Sequence, residues 1–452
     1  MTSTNYQIEI SDKDNHPMAI AWFKLAVASL VFAGFFAILL VFARTPGIQE
    51  IIPFTDFFHV ALIVHVDLSV LIWFVSFAGV MWSLSIKKQQ DILAKAAIGF
   101  AVLGTLIIVI APFFGAGNPL MNNYIPVLNH PAFISGLAVF AIGMLLQIVQ
   151  TILSGPPNFK DMNASNALSL GIYLSAWVAL FALLSLVASY VGIPDSINGA
   201  TFYEVLFWGG GHVLQFTHTV LLLVAWIWIA NASGVTIKIS PKVLSWLLIL
   251  VALPVIITPY IYSQYDVVSL EHRMAFTDLM KYGGLASTPL GLIIVLSILS
   301  AKSCPEDKRP VKAALLSSIL LFAAGGVIGF LIDGINVVIP AHYHGSIVGV
   351  TLAFMGLAYH LLPEFGYTKP TSKMARWQPY IYGGGQLIHI LGLAWSGGYG
   401  VQRKTAGAAQ GLDNLPEIIG MGMMGAGGGI SIIGGLLFVI VMIRAFKKND
   451  IA

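Results

Sequence analysis

The chain is 452 residues long, 57% hydrophobic and only 10% charged, with a formal net charge of +3. Soluble domains carry about 25% charged residues, so a chain this poor in charge faces lipid, and its small net charge gives no footing for nucleic acid. The single cysteine, Cys304, rules out an internal disulfide, a Cys-x-x-Cys-His haem attachment site and an iron–sulfur ligand set. Met1 to Asn15 is polar and acidic, without a positive n-region or cleavage site, which argues against a cleaved signal peptide.

Apolar stretches of about 20 residues predict transmembrane helices. In chain order they are 19–43, 54–85, 92–115, 131–153, 166–192, 201–231, 243–263, 268–300, 311–333, 341–365, 377–399 and 418–446. The expected fold is therefore an all-α membrane protein. A twelve-transmembrane-helix bundle (19–447) lies between a cytoplasmic N-terminal tail (1–18) and a cytoplasmic C-terminal tail (448–452). Connectors are short and rich in Gly, Pro and Asn, as in Gly115-Ala116-Gly117-Asn118-Pro119.

Orientation follows from the basic residues, which favour the cytoplasmic side. With the N-terminus inside, the inner loops hold Lys87, Lys88, Lys95, Lys160, Lys238, Lys242, Lys302, Lys308, Arg309, Lys312, Lys369, Lys373 and Arg376. Arg444, Lys447 and Lys448 follow at the C-terminus, and the outer side holds only Arg44, Arg273, Arg403 and Lys404. The even helix count and this bias put both termini inside, in a membrane of the bacterial inner (cytoplasmic) type.

Histidine inside a membrane span is costly unless it pairs or ligates. His65, His212, His342 and His344 all fall in the outer half under this topology, His65 about 16 Å into the second span at 1.5 Å per residue. In Ala341-His342-Tyr343-His344-Gly345 the two imidazoles are two residues apart, about 200° around a helix. They point to opposite sides and suit two separate haems flanking the helix rather than one metal; the bland alternative makes one of them a capping histidine after Pro340. The run Phe207-Trp208-Gly209-Gly210-Gly211-His212 lets a flat ligand approach the backbone, or serves close helix packing.

A histidine early in the second span, Trp-x-x-x-His in the sixth and His-x-His in the tenth together resemble the catalytic subunit I of the haem-copper oxidase superfamily. Met355-Gly356-Leu357-Ala358-Tyr359-His360-Leu361-Leu362-Pro363 is similar to the family's tenth helix. Asn123-Tyr124-Ile125-Pro126-Val127-Leu128-Asn129-His130-Pro131 is similar to its entry into the fourth. The resemblance implies two haems: a low-spin haem held by His65 and His344, and a high-spin haem held by His342 alone, whose open face binds substrate. It casts His212 as a ligand of a second active-site metal, copper or non-haem iron.

Two departures stand beside the matches. The family carries adjacent histidines on helix seven, but Thr258-Pro259-Tyr260-Ile261-Tyr262 stands there and no His-His pair exists in the chain. The tyrosine that several oxygen reductases carry four residues after the sixth-helix histidine is Phe216 here. Tyr260 and Tyr262 are placed to supply a tyrosine instead. Three outcomes stay open for the second metal. It is rebuilt with oxygen donors from Tyr260, Tyr262, Asp266 and Glu271 plus His272 as a nitrogen donor; it is absent; or His218 or His272 fills the site. His218 lies about 120° around the helix from His212, which argues against a shared metal.

Oxygen reduction needs four electrons and, ordinarily, two metals with a tyrosine, whereas two nitric oxide molecules need two electrons. The expectation is a terminal reductase converting NO to N2O, with a cytochrome c oxidase-like O2 reductase as the alternative. The non-catalytic alternatives are a haem electron-transfer or gas-sensing subunit, and a transporter, which predicts inverted internal repeats. Asp278 and Lys281, three apart on the eighth span, are expected to pair, as a proton relay or a structural bridge. Asp333, Asn336, Arg403 and Lys404 lie where haem propionates point. His59 and His130 sit at the outer interface, and His16, His360 and His389 are not expected to ligate. The chain has no electron-entry site of its own. The resemblance implies an outer-face partner subunit, a copper-centre cupredoxin or cytochrome c type, fed by soluble cytochrome c or cupredoxin.

Overall fold

The computed structural model describes residues 5–8, 16–43, 57–86, 90–115, 117–301, 304–403 and 412–446. Arg44, Lys87, Lys88, Lys302, Lys404, Lys447 and Lys448, used above for orientation, lie outside them. The described chain forms twelve helical rods. These are α1 (His16–Ala43), α2 (Phe57–Ser85), α3 (Asp91–Phe114), α4 (Pro131–Leu153), α5 (Ala164–Gly192), α6 (Gly199–Ala232), α7 (Pro241–Gln264), α8 (Leu270–Leu299), α9 (Arg309–Phe330), α10 (Val338–Glu364), α11 (Lys373–Gly398) and α12 (Leu415–Ala445). Eleven are long and apolar enough to cross a membrane. α11 is as long as its neighbours, at 26 residues, but Lys373, Arg376, Gln378 and Gln386 make it less apolar. The loop after α3 carries a small antiparallel ribbon, β1 (Asn118–Leu120) with β2 (Val127–Asn129).

The chain divides into two compact units: Met1–Val224 with Ile237–Ile294, and Ala225–Thr236 with Val295–Ala452. In the first, α3 and α4 approach through small residues, because a Cβ on Gly104 would strike the Phe140 backbone and one on Gly143 would strike Ala101. Lipid tails are as apolar as leucine, so close backbone packing of this kind and interhelical hydrogen bonds hold membrane helices together. Trp22 Nε1 donates to Gln147 Oε1 at 3.1 Å, tying α1 to α4, and Trp82 Nε1 donates to Ser175 Oγ at 3.0 Å, tying α2 to α5. Outside the spans, the Tyr6 hydroxyl donates to the Ile239 carbonyl at 2.7 Å, and burial pushes this phenol up to about 12.

Three rods of this unit depart from α-helix in mid-span, and α3 ends in a 3-10 turn at Ala111–Phe114. α2 has a π-helical stretch at Asp67–Ile72, α7 a 3-10 stretch at Leu253–Ile257 around Pro254, and α8 a π stretch at Leu279–Gly283 followed by a 3-10 turn. Such departures free or re-aim backbone groups, and they concentrate at functional positions.

In the second unit α9 packs on α10 through Gly325 against Gly345, and α11 packs on α12 through Gly385, Gly392, Gly427 and Gly434. A buried polar chain crosses three helices here: Tyr359 Oη donates to Gln378 Oε1 at 2.9 Å, and Gln378 Nε2 donates to the Gly434 carbonyl at 3.2 Å. α12 opens with a reciprocal cap between Asn414 and Glu417.

Candidate haem ligands

One geometry recurs at five intramembrane histidines. In the first unit, His65 Nδ1 lies 2.8 Å from the Ala33 carbonyl of α1, and His212 Nδ1 lies 2.7 Å from the Trp208 carbonyl one turn before it. In the second unit, His342 Nδ1 lies 2.7 Å from the Gly325 carbonyl, His344 Nδ1 lies 2.8 Å from that of Pro340, and His389 Nδ1 lies 2.8 Å from that of Met424. A carbonyl accepts only, so Nδ1 carries the hydrogen in each ring and Nε2 keeps its lone pair. This is the second contact that metal-ligating histidines use to fix their tautomer and orientation.

What faces Nε2 divides the five. His65, His342, His344 and His389 are half-buried although they lie deep within apolar spans, so open space adjoins each. His212 is 2% exposed and packed among rings, with centroids of Trp208 at 4.7 Å, Tyr124 at 5.1 Å and Phe276 at 6.1 Å. The residues therefore fit haem at His65, His342 and His344: an Nδ1 anchored to a carbonyl, which leaves the Nε2 lone pair as the ligating one, and a ring that is not fully buried.

The glycines before His212 serve protein packing. A Cβ on Gly211 would run into the Tyr124 ring, one on Gly209 into the Tyr262 hydroxyl, and one on Gly210 would come 3.0 Å from the Ala182 carbonyl of α5. Two of these gaps are filled by large side chains from distant segments and the third faces the α5 backbone, so the run serves close packing.

The proposed oxygen donors do not assemble. Tyr260 is 59% exposed, and Asp266 and Glu271 are exposed. The Tyr262 hydroxyl lies 2.8 Å from Ser189 Oγ and donates to the Ser185 carbonyl at 2.9 Å. Thr258 spends its hydroxyl on the Val255 carbonyl. No group of three His, Cys, Asp or Glu with metal-ligand geometry occurs among the described residues. His272 is fully buried at the start of α8, where Ser269 caps its backbone N–H, and neither ring nitrogen has a hydrogen-bond partner. Its ring lies 5.0 Å from those of Tyr262 and Phe276. His218 stacks edge-on with Phe74 at 4.9 Å, and its Nδ1 has no partner. Phe216 is packed in the core, 3% exposed.

The expected ion pair of Asp278 and Lys281 does not form. The two residues flank the start of the π stretch, whose wider turn rotates Lys281 off the face that three-residue spacing gives in an α-helix; both are exposed, and Lys281 Nζ lies over the Tyr282 ring. His130 caps α4, accepting from the Ala132 N–H at 3.2 Å. Asn336 caps the turn before α10, accepting from Val338 N–H at 2.9 Å and donating to the Asp333 carbonyl. His16 stands at the first position of α1, not in a tail.

One residue gains a place that sequence reasoning had not given it, and His389, not expected to ligate, makes a hydrogen bond between helices. Tyr124, from the loop before α4, puts its hydroxyl 2.8 and 3.0 Å from the two nitrogens of His212. His389 of α11 lies with its ring 5.0 Å from that of His344, anchored in the same way. Its signal in the sequence is a mid-span imidazole opposite the Gly427-Gly428-Gly429 run, whose first glycine admits the His389 backbone.

The family model for cytochrome c and quinol oxidase polypeptide I matches residues 17–434. An uncharacterised protein of Rickettsia prowazekii is 32% identical, over 94% of this chain and 95% of its own length. Another, from Aquifex aeolicus, is 27% identical over 79% of this chain and 88% of its own. Among solved structures, a cryo-EM haem-copper terminal oxidase dimer shares the fold with a TM-score of 0.68, at 18% identity, over 97% of this chain and 84% of that one. This chain is a multi-pass membrane protein of the cytochrome c and quinol oxidase polypeptide I family, the subunit I family of the haem-copper oxidases.

Proposed function

We propose that this oxidoreductase subunit is the haem-bearing part of a respiratory terminal reductase, with nitric oxide as substrate and nitrous oxide as product. The observation that supports the reading is the shared geometry of His65, His342 and His344, each half-buried within an apolar span with Nδ1 given to a backbone carbonyl. In it, His65 and His344 would hold a low-spin haem and His342 a high-spin haem. Haem supplies one-electron redox chemistry and an open iron position for a diatomic gas. The protein's own part is to orient the imidazoles and keep the surroundings apolar.

The substrate follows from electron count. The reaction 2 NO + 2 e− + 2 H+ → N2O + H2O needs two electrons, and two haems hold two; reducing O2 to water needs four. Among the described residues no His, Cys, Asp or Glu cluster forms around His212 to hold a metal that would store the others. Electrons enter through a partner subunit of cytochrome c or cupredoxin type on the outer face, and a soluble cytochrome c or cupredoxin feeds it. Both termini face the cytoplasm of a bacterial cell, as the lysine- and arginine-rich loops favour.

One observation favours the second reading, oxygen reduction: Tyr124 sets a phenol against His212, and a tyrosine is what an oxygen reductase adds to its metals. Purified protein with a reduced one-electron donor separates the two. NO consumption with stoichiometric N2O supports the first reading, and O2 consumption to water without NO turnover overturns it. A preparation without a Soret band would remove both.

A further inference from the structure

We propose that the position beside His212 where a second metal is expected is occupied in this chain by the Tyr124 side chain, a tyrosine–imidazole pair standing in its place. The inference deepens the haem reductase reading and rests on it. Every polar atom of His212 is already used. Nδ1 donates to the Trp208 carbonyl at 2.7 Å, which leaves Nε2 to accept from the Tyr124 O–H at 3.0 Å. A metal ion needs that same Nε2 lone pair.

The tyrosine is built in. Gly211, directly before the histidine, is the residue whose Cβ would run into the Tyr124 ring, so the helix is cut away where the phenol lies. The loop that carries it is fixed from both sides. Asn122 Oδ1 accepts from the N–H groups of Tyr124 and Ile125, both at 2.9 Å, and Asn123 N–H donates to Glu204 Oε2 of α6 at 3.0 Å, with a further bond between the Asn123 and Glu204 side chains.

Nothing else nearby replaces it as a ligand set. Asp266 and Glu271 are exposed, the Tyr262 hydroxyl is held by Ser189 and Ser185, and His272 and His212 each pack against the Phe276 ring. One imidazole is a poor site for copper, which prefers several nitrogen or sulfur donors.

The test is metal and haem quantification on the purified complex with its haems in place. The expected result is iron equal to haem, with neither copper nor non-haem iron in this subunit, and the same count in His212→Ala. Tyrosine vibrations should report a hydrogen-bond-donating phenol that is lost in both Tyr124→Phe and His212→Ala. Two haems together with one stoichiometric extra metal, lost in His212→Ala, would overturn the pair and leave the haem reading standing. A haem-free preparation would instead overturn the reductase reading, and this inference with it. If Tyr124→Phe fails to fold, the wild-type metal count still decides.

Discussion

The imidazole of His342 lies against Gly329 of the neighbouring helix: a Cβ placed there would come 2.6 Å from His342 Nδ1 and 2.8 Å from Cε1. One turn earlier, Gly325 supplies the carbonyl that accepts from that nitrogen at 2.7 Å, and its own Cβ position is filled by the α10 backbone at Ser346. Two glycines on one face of α9 thus set both the height and the rotation of a single side chain. A methyl group at position 329 cannot be absorbed by a flexible neighbour, because the ring it meets is tied at Nδ1.

Gly329→Ala is therefore expected to act as a ligand mutation without touching the ligand. Overpacking of this kind costs about 1–3 kcal/mol, and here it falls on the ring's orientation. The expected outcome is loss of the high-spin haem with the low-spin haem retained, as in His342→Ala. Absorption spectra and haem extraction read it, and full occupancy by two haems in Gly329→Ala would refute the argument.

His344 and His389 separate ligation from support. Both give Nδ1 to a carbonyl, yet only His344 sits beside His342 in the His-x-His segment. His344→Ala should remove the low-spin haem outright. His389→Ala should keep both haems, lose a hydrogen bond to Met424 worth about 1 kcal/mol, and shift the low-spin haem's midpoint potential. Equal haem loss in the two variants would make His389 a ligand.

Two of the three glycines before His212, set against Gly284 of α8, predict a contrast. Gly211→Ala and Gly209→Ala drive a methyl into the Tyr124 ring and the Tyr262 hydroxyl, while Gly284→Ala, also in a bent span, meets nothing within 4 Å. The first two should lower thermal stability in detergent by about 1–3 kcal/mol, and the third should leave it within about 0.5 kcal/mol. A destabilised Gly284→Ala would show that helix bending, not contact, governs these sites.

How much of this was legible in the sequence depends on the range of the interaction. Runs of apolar residues specify membrane helices locally, so the rods and the even helix count follow from composition alone, although α11 is marked less clearly because it carries Lys373, Arg376 and two glutamines. The His-x-His segment is equally local: two positions on one helix fix their directions. Tyr124 was not legible as a partner of His212, because 88 residues and a loop conformation set by Asn122 and Glu204 separate them. The glycines of α6 announced a close approach without saying what approaches. The π turns of α2 and α8 have no residue signature, and the one in α8 defeats helical spacing as a guide to Asp278 and Lys281.

That pair carries the last prediction. α8 is the least buried of the membrane spans, and Asp278, Lys281 and Tyr282 all lie on its exposed surface, with no ion pair between the two charges. A charged side chain facing hydrocarbon at mid-helix costs about 2.5–3.5 kcal/mol on insertion scales, and among the described residues neither charge has an ion-pair partner, Lys281 meeting only the Tyr282 ring. A membrane helix of a partner subunit carrying polar or charged groups would relieve both. Asp278→Asn and Lys281→Gln should then leave the haem spectrum and the stability of the isolated chain unchanged, while lowering recovery of the intact complex by co-purification. If both variants instead assemble normally and lose turnover, the two side chains serve proton supply and the surface has another cover.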